Sequence, residues 1–149
     1  MNENVRLVVN GEPRDIRVPC DETLLETLRD RLGLPSVRET CNIGICGVCT
    51  VLVDGRPMSS CLLLTTLLEG RSVTTLEGIM TPDGRLHPVQ EAFVAQQAFQ
   101  CSYCTPGMIL SVLALLSENP NPTKQQAATY LAGNLCRCGS YLKILAAVE

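Results

Sequence analysis

The sequence predicts an α+β fold in two small domains, with a mixed sheet and one helix in residues 1–78 and four helices in residues 79–149. The first half alternates apolar and polar residues between hairpin turns, which is typical of strands. The second half has apolar residues at helical spacing, and a stretch rich in glycine and proline separates the halves. Because each half has fewer than about 80 residues, its core is small, and we expect each to need additional stabilisation such as a metal site.

The chain begins with a predicted hairpin, which is followed by the helix of the first half. Residues 5–9 form the first strand, Asn-Gly at 10–11 favours a tight turn with positive φ, and residues 14–18 return alongside. We expect Asp21 to cap a helix that runs to Leu32, because its leucines share one face.

A second hairpin and a last strand complete the predicted sheet. Residues 50–53 and 58–60 form the hairpin around an Asp-Gly turn at 54–55, and residues 72–76 form the last strand. A small mixed sheet with one helix corresponds to the β-grasp layout of plant-type ferredoxins.

Four cysteines in the first half have the spacing C-x4-C-x2-C-x11-C. The first three repeat a plant-type ferredoxin spacing, and four thiolates hold one 2Fe–2S cluster. Gly44 and Gly47 permit a loop whose backbone N–H groups point at the sulfurs. The hairpin that follows should bring the fourth cysteine back to the third. The predicted ligands of this first set are Cys41, Cys46, Cys49 and Cys61.

The second half is predicted to be helical after a linker at residues 77–88, which contains Pro82 and Pro88. We expect the helices to begin after N-caps at Thr105, Thr123 and Ser140. The predicted helices occupy residues 89–99, 106–117, 124–132 and 141–148.

The second half contains its own set of four cysteines, arranged as C-x2-C and C-x-C. The first pair ends directly before the expected cap Thr105, and the second pair ends shortly before the expected cap Ser140. Two helix N-termini, each with a partial positive charge, would therefore face one anionic cluster. The predicted ligands of this second set are Cys101, Cys104, Cys136 and Cys138.

Zinc is the main alternative for both sets, because tetrahedral thiolate sites also bind zinc. Zinc ribbons usually pair two C-x2-C knuckles, however, and neither set does so. Disulfides fit less well, since the cysteine count of nine is odd. Cys20, the ninth cysteine, has no partner by spacing. His87 is the only histidine, and we expect it to be structural at a helix start.

Composition argues against several other functions. A net charge of −3 without a basic patch, together with 3% aromatic residues, argues against nucleic-acid binding. The longest apolar run, residues 108–116, is too short to span a bilayer. The first residues show no signal-peptide pattern, so we expect a cytoplasmic protein. The sequence has no P-loop, GxGxxG or Ser–His–Asp set, so we expect no substrate site in this chain.

With both cysteine motifs in place, the chain resembles the small iron–sulfur subunits of the molybdenum hydroxylases, the xanthine dehydrogenase and aldehyde oxidase family. It is most similar to the free-standing bacterial subunits of carbon monoxide, quinoline, isoquinoline and aldehyde oxidoreductases. The most specific segments are the first cysteine loop with Cys61, residues 100–107 and residues 134–138. The resemblance implies a β-grasp 2Fe–2S ferredoxin domain followed by a four-helix 2Fe–2S domain, in agreement with the patterns above.

The resemblance also implies the role of the chain in a heteromeric enzyme. A large subunit would hold molybdenum on a molybdopterin cytosine dinucleotide and hydroxylate the substrate. Electrons would then pass through the cluster of the helical domain and that of the ferredoxin domain to FAD on a medium subunit, or to another acceptor. The family positions that approach the pterin correspond to Gln100 and Cys138.

Three places depart from the family pattern without removing a ligand. Thr40 and Ser102 stand where glycine is usual, and Gly139-Ser140 replaces a common Thr-Gly pair, which weakens the expectation of an FAD subunit.

Two other functions stay open. One is an independent ferredoxin-like electron carrier, although a simple carrier does not need a second cluster. The other is a zinc-stabilised interaction module.

Overall fold

The computed structural model describes residues 1–81 and 83–149, so the predicted linker residue Pro82 lies outside the described residues. Two hairpins and a last strand form the sheet of the first half, as predicted. Strand β1 (Asn2–Val9) pairs with β2 (Glu12–Pro19), and β3 (Thr50–Val53) pairs with β4 (Arg56–Ser59). Strand β5 (Ser72–Thr74) lies between them, parallel to β1 and antiparallel to β3, which gives the order β2-β1-β5-β3-β4.

Both predicted hairpin turns have a left-handed backbone, which was expected for the Asn-Gly turn at 10–11. Asn10 and Gly11 have φ values of 53° and 81°, and Asp54 and Gly55 have values of 48° and 78°. Two successive residues with positive φ give a turn whose twist matches that of the flanking strands. The Asn-Gly and Asp-Gly pairs therefore fix the register of both hairpins.

The helix of the first half starts later than predicted. Thr23, and not Asp21, is the N-cap of α1 (Leu24–Glu26), because its hydroxyl accepts the Glu26 N–H while the Glu26 carboxylate accepts the Thr23 N–H. The chain then widens into a π-helical turn at Thr27–Arg31. The predicted apolar face is buried in the core of the first half, through Leu24, Leu25 and Leu28.

The described part of the second half contains the helices α2 (Pro88–Ala95), α3 (Thr105–Glu118), α4 (Lys124–Tyr130) and α5 (Tyr141–Val148). Helix α2 ends at Ala95 and not at Phe99, since Gln97 takes a φ of 49° that a helix does not tolerate. Cys104, and not Thr105, occupies the N-cap position of α3. Across the described residues, no helix has both the length and the apolar character needed to cross a membrane.

Capping boxes start two of these helices. The Nδ1 atom of His87 accepts the Val89 N–H at 3.2 Å, so the single histidine caps α2 and has the structural role expected for it. Thr123 caps α4 as predicted, with Gln126 as the reciprocal partner. The helices enclose a second core, which includes Phe93, Met108, Val112, Leu131 and Ile144.

Helix α3 lies directly against the loop that carries the first cysteine set. A Cβ atom on Gly107 would lie 2.7 Å from the Gly47 carbonyl oxygen and 2.9 Å from that of Val48. The backbone of α3 at position 107 is therefore closer to the backbone of the first cysteine loop than any side chain at that position would allow. This close approach holds the helical half against the first cysteine loop.

We expect Gly107→Ala to lower the free energy of unfolding by about 1–3 kcal/mol, because the added methyl group would overpack a backbone contact. Gly133→Ala is the matched control, since a Cβ atom there meets nothing within 4 Å. Chemical denaturation followed by circular dichroism would measure both variants. Equal effects would contradict the importance of the close contact.

Candidate metal centres

The first cysteine set lies on the loop between α1 and β3 and on the turn after β4. Asn42, Gly44 and Gly47 have φ values of 54°, 73° and 66°, so the loop curls around its cysteines. Backbone N–H groups of Ile43 and Cys46 lower the pKa of Cys41 to about 6. The loop therefore favours the thiolate form, which is the form that binds metal. 

Cys61 returns to Cys49, as the hairpin between them predicts. Ser60, the neighbour of Cys61, donates to the Cys49 carbonyl from its N–H at 3.4 Å and from its hydroxyl at 2.8 Å. Burial, together with the adjacent Cys49 thiol, raises the pKa of Cys61 to about 11. A positive metal centre would offset the cost of ionising this buried thiol.

The four residues of the second cysteine set lie close together. The Sγ atoms of Cys101 and Cys138 lie 3.5 Å apart, and Cys104 packs against the apolar core that contains Cys136. Burial raises the pKa of Cys104 to about 12. All four residues line a cavity of about 430 Å³, and Cys46 of the first set lines the same cavity. The two sets are therefore neighbours.

Backbone N–H groups face two sulfurs of the second set. The Tyr103 N–H donates to Cys101 Sγ with an N···S distance of 3.5 Å, which lowers the pKa of Cys101. Burial opposes the ionisation of Cys136, but the Ser140 N–H at 3.4 Å brings its pKa below the ordinary value. The Ser140 hydroxyl is buried beside the Cys136 sulfur, where it also lowers the pKa of Cys136, and it has no other partner among the described residues.

Within residues 1–81 and 83–149, no three or more His, Cys, Asp or Glu side chains are arranged around a single point as one metal ion would require. Each set nevertheless supplies four thiols, and backbone N–H groups face at least one sulfur in each. Four thiolates with N–H donors to sulfur are what a 2Fe–2S cluster requires. The donor chemistry of both sets fits that group.

Gln100 and Cys138, the two positions that the resemblance relates to a pterin, lie next to each other. The Gln100 side-chain nitrogen is 3.5 Å from the Cys138 carbonyl oxygen. Gln100 is exposed and Cys138 is half-buried, so both lie at the surface beside the second set.

Hydrogen bonds that no sequence pattern reveals join the two cysteine loops. The Leu135 N–H donates to the Cys46 carbonyl at 2.8 Å, and Leu135 directly precedes Cys136. The buried side-chain amide of Asn134 donates to the Gly47 carbonyl at 3.0 Å. In the sequence, the only indication of this contact is that an amide residue, Asn134, lies two positions before the C-x-C motif. Backbone segments next to ligands of both predicted sites are thus in direct contact.

Comparisons with known proteins identify the family. Residues 7–75 match the family described as 2Fe-2S iron-sulfur cluster binding domain, and residues 75–149 match the family described as 2Fe-2S binding domain. The nicotinate dehydrogenase small FeS subunit of Eubacterium barkeri is 44% identical over 145 residues, which cover 97% of this chain and 92% of that relative. The chain belongs to the small iron–sulfur subunits of the molybdenum hydroxylases. Its two family domains correspond to two 2Fe–2S clusters.

Solved structures share the fold of this iron–sulfur subunit. Quinoline 2-oxidoreductase from Pseudomonas putida 86 matches with a TM-score of 0.95 and 37% identity, over 99% of this chain and 90% of that chain. Aldehyde oxidoreductase from Desulfovibrio desulfuricans ATCC 27774 matches with a TM-score of 0.93 and 42% identity, over 98% of this chain and 16% of that chain. The predicted α+β architecture with two 2Fe–2S domains is confirmed, while the boundary at residue 78 stays a prediction.

Cys104→Ala tests the ligand assignment of the second set. We expect this variant of the iron–sulfur subunit to hold about two iron atoms per chain, where the unchanged chain holds about four, because one 2Fe–2S cluster would lose a ligand. Cys20→Ala is the control, since Cys20 is exposed and belongs to neither set. Iron and acid-labile sulfide are measured in anaerobically purified protein. Full iron content in Cys104→Ala would show that Cys104 is not a ligand.

Proposed function

We propose that this iron–sulfur subunit transfers electrons from a molybdopterin cytosine dinucleotide centre on a large partner subunit to FAD on a medium subunit, or to another acceptor. The proposal rests on the adjacency of two four-thiol sets, with Cys46 of the first set lining the cavity of the second. When bound, the clusters supply one-electron redox chemistry. A chain with two adjacent redox sites is suited to pass electrons between partners and leaves substrate conversion to them.

We assign one cluster to each set of cysteines. The outer cluster, in the β-grasp domain, takes Cys41, Cys46, Cys49 and Cys61. The inner cluster, in the four-helix domain, takes Cys101, Cys104, Cys136 and Cys138. The exposed edge at Gln100 and Cys138 supports an inner site that faces the molybdenum subunit, because both residues are available there to a group on a partner.

The chain surrounds the inner set with apolar and aromatic side chains. Val48, Leu135, Tyr103 and Tyr141 line the cavity beside the sulfurs. The Tyr141 hydroxyl also accepts the Cys136 N–H at 2.8 Å, which fixes the backbone next to a ligand. Hydrogen bonds from backbone N–H groups to sulfur help to set the reduction potential of iron–sulfur centres.

Similarity to a relative that is named a small subunit supports a larger partner. The Eubacterium barkeri small FeS subunit is matched over 92% of its length, and the same fold forms 16% of the Desulfovibrio desulfuricans aldehyde oxidoreductase chain. From the similarity to a small subunit, we infer that a partner supplies the molybdenum-binding part. We expect the assembled enzyme in the cytoplasm, where cysteine sets of this kind stay reduced and available for metal.

Purification of the tagged chain from its own cells, at native expression, tests the proposal. We expect a stable complex that contains about four iron atoms for each molybdenum, because one chain with two 2Fe–2S clusters serves one large subunit. Iron, molybdenum and pterin are measured in the eluted complex, and its FAD content shows whether a medium subunit is present.

Two results would contradict this proposal. A full-length chain that elutes alone with about four iron atoms and reduces several acceptors would establish an independent ferredoxin-like carrier. A colourless chain that contains zinc and no iron would establish a zinc-stabilised interaction module.

A further inference from the structure

A cationic side chain connects the two cysteine loops. Arg38 lies in the segment that leads to Cys41, and its guanidinium donates a hydrogen bond to the carbonyl of Ser102, inside the C-x2-C pair of the second set. The guanidinium carbon lies 5.2 Å from the centre of the Tyr103 ring. Arg38 is half-buried, so its charge is less screened than that of a fully exposed arginine.

The peptide group that accepts this hydrogen bond also faces a ligand sulfur. The Ser102 carbonyl and the Tyr103 N–H belong to one planar peptide unit. The Tyr103 N–H donates to Cys101 Sγ at 3.5 Å. Hydrogen bonds in series polarise one another, so a guanidinium on the carbonyl makes the N–H a stronger donor. Arg38 thus acts on the Cys101 sulfur through a single peptide group.

Neighbouring contacts hold this peptide in place. Ser102 has a φ of 62°, in the left-handed region that disfavours residues other than glycine. The Tyr103 hydroxyl donates to the carbonyl of Glu39, the neighbour of Arg38, at 2.7 Å. Two hydrogen bonds and one cation–π contact therefore join residues 38–39 to residues 102–103.

We propose that Arg38 is a positioning residue that raises the reduction potential of the inner cluster. This inference rests on the ligand assignment proposed above. Reduction adds one electron, and hence one negative charge, to a cluster that already carries negative charge with its four thiolates. A nearby cation and a stronger N–H···S bond both favour the more negative form. Removing the charge of Arg38 should therefore make the inner cluster harder to reduce.

Two substitutions separate the charge of Arg38 from its hydrogen bond. Arg38→Gln keeps an N–H donor but removes the charge, and Arg38→Lys keeps the charge. Arg17→Gln, at an exposed position on β2, controls for the change in net charge. Redox titration of the full-length, iron-loaded chain with dithionite as the electron donor, followed by EPR, gives the potential of each cluster. The signal absent from Cys104→Ala identifies the inner cluster.

In Arg38→Gln, we expect the reduced-to-oxidised ratio of the inner cluster at a fixed potential to fall about tenfold, which is about 59 mV for one electron. Arg38→Lys should shift the ratio much less, and Arg17→Gln should leave it unchanged. An unchanged inner potential in Arg38→Gln, with full iron content and both EPR signals, would overturn the proposal. Equal shifts in Arg38→Gln and Arg38→Lys would also overturn it, because the charge would then be irrelevant.

Iron content distinguishes a failure of this inference from a failure of the ligand assignment. Loss of inner-cluster iron in both Arg38 variants, with full content in the unchanged chain, would give Arg38 a purely structural role and overturn the proposal. Fewer than about four iron atoms in the intact, unchanged chain would contradict the ligand assignment itself.

Discussion

The rest of the structure depends on the contact between the Cys46–Gly47–Val48 backbone and the helical half. Irregular cysteine loops leave backbone N–H and C=O groups without sheet or helix partners, and buried groups of this kind must be paired. In this structure, hydrogen bonds between the two loops pair some of these groups. The Cys46 and Gly47 carbonyls accept from the Leu135 N–H and the Asn134 amide, and α3 approaches through Gly107. The backbone groups of each cysteine loop are therefore paired in part by residues of the other domain.

In each set, some thiols lie where the thiolate is favoured and others where the neutral thiol is favoured. A metal centre would stabilise the thiolate form of all four. Cys41 and Cys101 receive backbone N–H groups, which favour their thiolates and lower the pKa of each. Cys61 is buried and Cys104 is half-buried, which raises their pKa values and favours the neutral thiols. Four thiolates in one set would therefore repel one another, and at least one of them would lose part of its solvation. Iron supplies the positive charge that lets all four ionise together.

Local sequence signals predicted the elements well and the contacts between them poorly. Some features depend only on residues close together in the sequence and could therefore be predicted. They include the Asn-Gly and Asp-Gly turns and the cysteine spacings. The prediction of Asp21 as the N-cap of α1 was wrong, although the capping box of Thr23 and Glu26 is also a local signal. The Arg38–Ser102 hydrogen bond joins residues 64 positions apart, and neither periodicity nor spacing carries such information. Fold class and metal chemistry were therefore predictable, whereas the link between the loops was not.

The serine at position 102 shows how this link compensates for an unfavourable residue. The resemblance predicts glycine at this position, and the observed φ of 62° gives a physical reason, since a left-handed backbone costs other residues about 1–2 kcal/mol. The guanidinium bond to the Ser102 carbonyl and the Tyr103 N–H bond to Cys101 Sγ both form in this backbone conformation. A charge-assisted hydrogen bond contributes a similar free energy of about 1.5–3 kcal/mol. The contacts with Arg38 and Cys101 therefore stabilise a left-handed backbone at Ser102 by about as much as the absence of glycine costs.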